Sequence, residues 1–144
     1  MNAYGVEGEA SHSFGSALEL RAAFTYTHAR VDGASIAPQL TGLKPAQTPS
    51  TTLTVATWRA LDRLTLIGDV RYESARFDDD QNTRKIKSGA GLNGRAEWSA
   101  TPGLIVFVAT DNLLDANIET GRSAANIVTY DAPRIIRVGL TLRR

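Results

Sequence analysis

The chain has 144 residues, a formal net charge of +1 and no cysteine. That length suits one domain, and zero cysteine excludes disulfide frameworks and thiolate metal sites. The near-neutral balance, with Lys and Arg scattered singly, disfavours nucleic acid as a partner.

Met1-Asn2-Ala3-Tyr4 leads straight into patterned sequence, with no basic region and no apolar signal core. No run of about 18 apolar residues follows, so the sequence encodes no transmembrane helix. Transmembrane strands remain open, because they alternate apolar and polar residues and leave the average unremarkable.

Period-two alternation dominates, and no window carries a helical stripe. The first predicted strand is short, with Tyr4, Val6 and Ala10 against Glu7 and Glu9. The second, 17–30, sets Leu18, Leu20, Ala22, Phe24 and Tyr26 against Glu19, Arg21, Ala23, Thr25 and Thr27. The third (about 50–59) alternates less well, and its faces stay open. The fourth, 64–77, sets Leu64, Leu66, Val70 and Tyr72 against Thr65, Asp69, Arg71 and Glu73. In the fifth, Ala90, Leu92, Ala96 and Trp98 oppose Asn93, Arg95 and Glu97. The sixth (about 104–111) again leaves its faces open. The seventh alternates cleanly: Ile136, Val138, Leu140 and Leu142 against Arg137, Gly139, Thr141 and Arg143.

The connections alternate in length. Residues 13–16, 60–63 and 100–103 are tight, with Gly, Pro, Ser or Asp as turn formers. Residues 32–49, 78–87 and 115–133 are long and polar. In an up-and-down antiparallel sheet, this puts every short turn at one end and every long loop at the other. Outer-membrane barrels have that asymmetry, with short periplasmic turns and long extracellular loops.

The expected fold is therefore all-β: an antiparallel up-and-down transmembrane β-barrel segment of about seven strands, an open curved sheet when isolated. Strands longer than the usual five or six residues favour a barrel. So do Tyr4, Tyr26, Trp58, Tyr72 and Trp98 near strand ends, since interfacial belts favour Trp and Tyr. The apolar face would meet lipid, and the charged face would line a wet lumen with cross-strand ion pairs. The alternative is a soluble β-sandwich that binds a ligand through its long loops.

Asn112-Leu113-Leu114-Asp115 after an apolar strand resembles the Asn-Leu-Phe-Asp signature near the end of TonB-dependent outer-membrane receptors. Pro133-Arg134 before a final alternating strand, and 64–79 running into an acidic loop, resemble the same family. The resemblance implies that 1–144 is the C-terminal part of a barrel of about 22 strands in the bacterial outer membrane. It further implies a plug inside the barrel, TonB engaged through the plug, and uptake of scarce nutrients such as ferric siderophores, haem, cobalamin or oligosaccharides. Lipid, the remaining barrel strands and the barrel assembly machinery are the other implied partners. Plug and signal peptide are absent from the 144 residues, so the expectation is a fragment that transports nothing alone. Two positions depart from the family pattern: Leu114 in place of Phe, and a terminus of Arg143-Arg144 where an aromatic is usual. Arg144 falls on the lipid face, where snorkelling limits its cost to about 0–1 kcal/mol.

Other patterns lead nowhere chemically. Gly89, Gly91 and Gly94 match GxGxxG, but no helix opens after them, so small residues on a lumen-facing strand are the reading preferred. An EF-hand loop from Asp78 needs Gly at 83 and Glu at 89, where Thr83 and Gly89 stand. His12 and His28 lack a partner pattern, and no nucleophile elbow exists. No enzyme activity, catalytic residue, cofactor or metal is expected. Ligand contacts are sought in the three long loops, with no residue singled out.

Overall fold

The computed structural model describes residues 1–49 and 51–142, with the side chains at 52 and 55–60 also outside the description. Among the described residues eleven strands form in chain order: β1 (Asn2–Phe14), β2 (Leu18–Arg30), β3 (Thr51–Ala60), β4 (Leu64–Glu73), β5 (Arg76–Phe77), β6 (Lys85–Ile86), β7 (Gly89–Thr101), β8 (Leu104–Asp111), β9 (Glu119–Arg122), β10 (Val128–Tyr130) and β11 (Ile135–Leu142). Seven of them make one sheet, in the order β1-β2-β3-β4-β7-β8-β11. Every neighbouring pair in it is antiparallel. The other four strands are two small hairpins, β5–β6 and β9–β10, which lie inside the second and third long loops. The fold class expected from alternation and loop lengths is the one observed.

Strand limits differ from expectation in two places. β1 runs thirteen residues to Phe14, because its full register against β2 supplies the pairing that a weak side-chain pattern conceals. The expected strand 64–77 breaks after Glu73. There Ser74 closes onto the start of β3: its N–H donates to the Thr51 carbonyl at 2.8 Å, and its hydroxyl accepts the Thr51 N–H at 2.9 Å.

Register settles the two strands whose faces the sequence left open. Leu104, Val106 and Val108 stand opposite Leu142, Leu140 and Val138, so they share the apolar face; Ile105, Phe107 and Ala109 share the other. In β3, Leu53 stands opposite both Phe24 and Tyr72, again on the apolar face.

That apolar face is uncovered. Ile136, Val138, Leu140 and Leu142 are 63–79% exposed, and Tyr4, Val6, Phe14, Phe24 and Trp98 are exposed on the same side. Among the described residues the buried hydrophobic set is only Ala29, Ile86, Ile105 and Ala109. A sandwich would bury the apolar face against a second sheet, at about 25 cal/mol per Å². Neither small hairpin is large enough to do so. An uncovered apolar face on an alternating antiparallel sheet is the outer-face pattern of a transmembrane barrel. The aromatics fall at both ends of the face: Tyr4, stacked on His28 at 4.8 Å, with Tyr26 and Tyr72 near the long loops, and Trp98 and Phe14 near the short turns. Trp58 lies outside the described side chains, and Arg143 and Arg144 outside the described residues.

The opposite face carries the charges, but their pairing corrects expectation. Arg21 bonds Glu19 at 2.7 Å and Arg95 bonds Glu97 at 2.7 Å, two residues along the same strand, and Arg71 pairs with Glu73 in the same way. Cross-strand partners are mostly small or uncharged: Arg71 faces Gly91, Glu73 faces Gly89 and Arg95 faces Ala109. Among the described residues the one ion pair between strands of the sheet is Arg137 to Asp111 at 2.5 Å. These partly exposed pairs are each worth little, about 0–1 kcal/mol.

One packing device ties β11 to this face. A Cβ at Gly139 would collide with the Phe107 ring, which also carries the Arg95 guanidinium 3.7 Å from its centroid. Gly139→Ala is expected to push that ring aside and destabilise the wall by about 1–2 kcal/mol. Unfolding titrations in detergent check this, and the same substitution on a Phe107→Ala background is expected to cost much less.

Candidate functional site

The three long loops gather at one end of the sheet and bond to each other. Loop 1 (31–49) turns through a short 3-10 segment, Pro38–Leu40, and is closed at its base by Val31 N–H to the Leu43 carbonyl at 2.9 Å. Loop 2 (74–88) holds the acidic run that hinted at calcium. Asp79 instead accepts N–H bonds from Thr83 at 3.0 Å and Arg84 at 2.8 Å, plus the Thr83 hydroxyl at 2.7 Å. It is a turn former with its oxygens engaged. Burial disfavours its charge, yet the Arg84 and Thr83 bonds outweigh burial and hold its carboxyl below the ordinary 3.8. Among the described residues no group of three or more His, Cys, Asp or Glu could hold a metal.

Loop 3 (112–134) begins with the Asn112-Leu113-Leu114-Asp115 motif, and the structure gives that motif a job. Asn112 has a positive φ of 49° and is 8% exposed. Its Nδ2 donates to the Ala116 carbonyl at 3.0 Å and the Ala132 carbonyl at 3.1 Å, while its Oδ1 accepts the Ala116 N–H at 2.9 Å. One side chain thus clamps the two ends of the loop. Asp115, also at positive φ (53°), accepts the Arg134 N–H at 3.0 Å, just before β11 starts. The Asn112 N–H donates to Asn93 Oδ1 at 3.0 Å, and Asn93 Nδ2 donates to Asp69 at 2.9 Å, which ties the clamp back into the wall.

The three glycines of the GxGxxG pattern lie in β7, within a continuous strand. A Cβ on Gly89 would come within 2.8 Å of Ile118 Cγ2, and one on Gly91 within 3.4 Å of Ile118 Cδ1. Absent side chains let loop 3 fold down onto the charged face. Beneath it lies a cavity of ≈ 340 Å³, lined by Arg71, Glu73, Arg76, Lys87, Asn93, Asp111, Glu119 and Asp131 among others. It is bounded on one side by wall strands and on the other by loops 2 and 3.

Glu119 is its most buried charge, at 6% exposure. It accepts the Lys87 N–H at 3.0 Å, with Lys87 Nζ at 3.3 Å and Arg122 Nη2 at 3.3 Å. The Lys87 backbone bond above all, helped by the Lys87 and Arg122 side chains, holds its carboxyl below the ordinary 4.5 despite burial. A depressed carboxylate contributes stability above its unfolded value and loses it as pH falls through the lower folded one. The junction of loops 2 and 3 is therefore expected to be intact above about pH 4.5 and to loosen only in stronger acid. Amide exchange at Lys87 as a function of pH, corrected for its intrinsic rate, checks this. Glu119→Gln is expected to flatten the profile.

The sequence pointed to the long loops without naming residues, and one cavity lies at the loop end; another, of ≈ 540 Å³, lies on β1 and β2 beside Glu9, Ser11 and Arg21. Gln47, Asn82, Glu119 and Arg122, which join the loops, carried no signal: their partners lie 31–44 positions away or in a backbone carbonyl.

An uncovered apolar face, aromatics at both its ends, a charged inner face, and loops massed at one end define a wall segment of a transmembrane β-barrel. A family model described as TonB dependent receptor-like, beta-barrel, matches residues 1–113, and the chain belongs to that family. By sequence, no curated protein matches it. Solved structures share its fold. The siderophore receptor PiuA of Acinetobacter baumannii superposes with a TM-score of 0.83 at 17% identity, covering 97% of this chain and 21% of that one. The ferric citrate transporter FecA gives 0.81 at 16% identity over 97% and 24%. BauA, the ferric preacinetobactin receptor of A. baumannii, gives 0.78 at 16% identity over 97% and 22%. The chain thus spans a fifth to a quarter of these structures' length. Its family places it in the bacterial outer membrane.

Proposed function

We propose that this chain is wall and loop structure of a TonB-dependent active transporter. Such a receptor takes up a scarce nutrient across the outer membrane. The family match over 1–113, joined to a loop-roofed cavity on the inner face, carries the reading. In the full receptor, further strands pair with the free edges of β1 and β11, since each has one neighbour among the described residues. We place 1–144 in the C-terminal part of that barrel, because the motif at 112–115 and the strand after Pro133 resemble the family's closing strands. A plug in the lumen, TonB acting through it, surrounding lipid and the barrel assembly machinery are the partners this reading requires. It assigns transport, not catalysis.

Ferric chelates are the favoured cargo, ahead of haem, cobalamin or oligosaccharides, because the similar structures include receptors for a siderophore, ferric citrate and ferric preacinetobactin. The test is uptake of radiolabelled ferric chelates by iron-limited cells carrying the complete receptor. Alanine blocks across 32–49, 78–87 and 115–133 are expected to lower affinity with the barrel still assembled. Unchanged affinity in every block would remove the loops from recognition. The 144 residues alone are expected to give no uptake.

A further inference from the structure

The long loops of a barrel are usually its most independent parts, joined to the wall only at their ends. Here they are not independent. Loop 1 meets loop 2 through Gln47 N–H to the Phe77 carbonyl at 2.7 Å. Asn82 bonds both backbone groups of Lys44, each at 2.8 Å. Loop 2 meets loop 3 through Arg122 Nε to the Lys85 carbonyl at 2.9 Å and through Glu119 to Lys87. Among the described residues, the Asp78 side chain bonds to both of the other loops. From loop 2, Asp78 accepts Gln47 Nε2 of loop 1 on Oδ1, and the Arg122 N–H of loop 3 on Oδ2 at 2.7 Å.

We infer that Asp78 is a positioning residue that makes the three loops one rigid lip over the cavity, so that a contact made by any loop is felt by the other two. The chemistry requires a carboxylate. Both neighbours present donors, and an ionised carboxylate accepts on both oxygens. Gln47 cannot turn its amide around to suit another partner, because its Oε1 accepts Arg76 Nε at 3.3 Å. Asp78 does not line the cavity itself. It acts through Arg122, whose Nη2 bonds Glu119 at 3.3 Å on the cavity wall. The consequence for uptake rests on the transporter reading above; the coupling of the loops does not.

The test is amide hydrogen exchange on the complete receptor in detergent, with β4, β7 and β8 as the folding control. Protected strands in the wild type establish the wall by themselves, and their absence would count against the barrel reading and not against Asp78. Asp78→Ala is expected to speed exchange about tenfold in both loop 1, around Gln47, and loop 3, around Arg122, with strand protection unchanged. Asp78→Asn keeps one acceptor for the Arg122 N–H but turns an amide donor toward Gln47, so loop 1 alone is expected to loosen. Adding Gln47→Glu then restores an acceptor for that donor, and one for Arg76, and is expected to recover loop 1 protection. Loosening of a single loop in Asp78→Ala, or no recovery in the double variant, would overturn the inference.

Discussion

Val138→Arg is expected to destabilise the wall by about 2–4 kcal/mol, the cost of an arginine near the bilayer midplane on the lipid face. Val138 is 72% exposed, lies in the apolar column of β11 and stands opposite Val108 of the same face. Thr141→Arg, on the other face of the same strand, is expected to cost no more than about 1 kcal/mol, since that face meets water and already carries Arg137. Urea titrations of chain folded into lipid vesicles measure both. The pair separates the membrane reading from a soluble one. In a soluble sheet, a charge in place of an exposed valine improves solubility and leaves stability nearly unchanged. Equal effects of the two substitutions would mean that the apolar face does not lie against lipid.

That column is also where the sequence was most readable. A strand with one apolar face and one polar face writes its own period, and the alternation at 136–142 and at 18–26 reached the structure unchanged. The short and long connections were legible for a related reason: turn formers act locally. What failed to show was everything decided across strands. The inner-face charges pair along their own strands because register sets mostly small or uncharged residues opposite them, and register is not written in any one segment. The same holds for β5–β6 and β9–β10. These hairpins of two to four residues per strand form inside loops whose composition reads only as polar. Asp78 opens an acidic run that fails as a calcium loop at Thr83 and Gly89, and nothing nearby in sequence gives it another role. Its partners lie 31 and 44 residues away, at Gln47 and Arg122.

Asn112→Ala is expected to cost about 3 kcal/mol, more than any other single truncation in the loops. Alanine removes a side chain that satisfies two carbonyls and one N–H in a nearly buried site, and each group left unpaired there costs about 1–3 kcal/mol. It also puts a Cβ without the asparagine's local bonding at a φ of 49°, a left-handed conformation that disfavours alanine by about 1 kcal/mol. Asn112→Gly separates the two contributions, since glycine accepts that φ freely and lacks the same bonds. It is expected to recover only about 1 kcal/mol of the loss, measured by urea unfolding in detergent; full recovery would reduce the clamp to a backbone preference. Leu114→Phe, which restores the family's residue, is expected to change almost nothing, because Leu114 is exposed and no bond of the clamp involves it. The asymmetry accounts for the motif. Its first and last positions, Asn112 and Asp115, hold the base of loop 3 and the start of β11, while the third tolerates any residue the surface accepts.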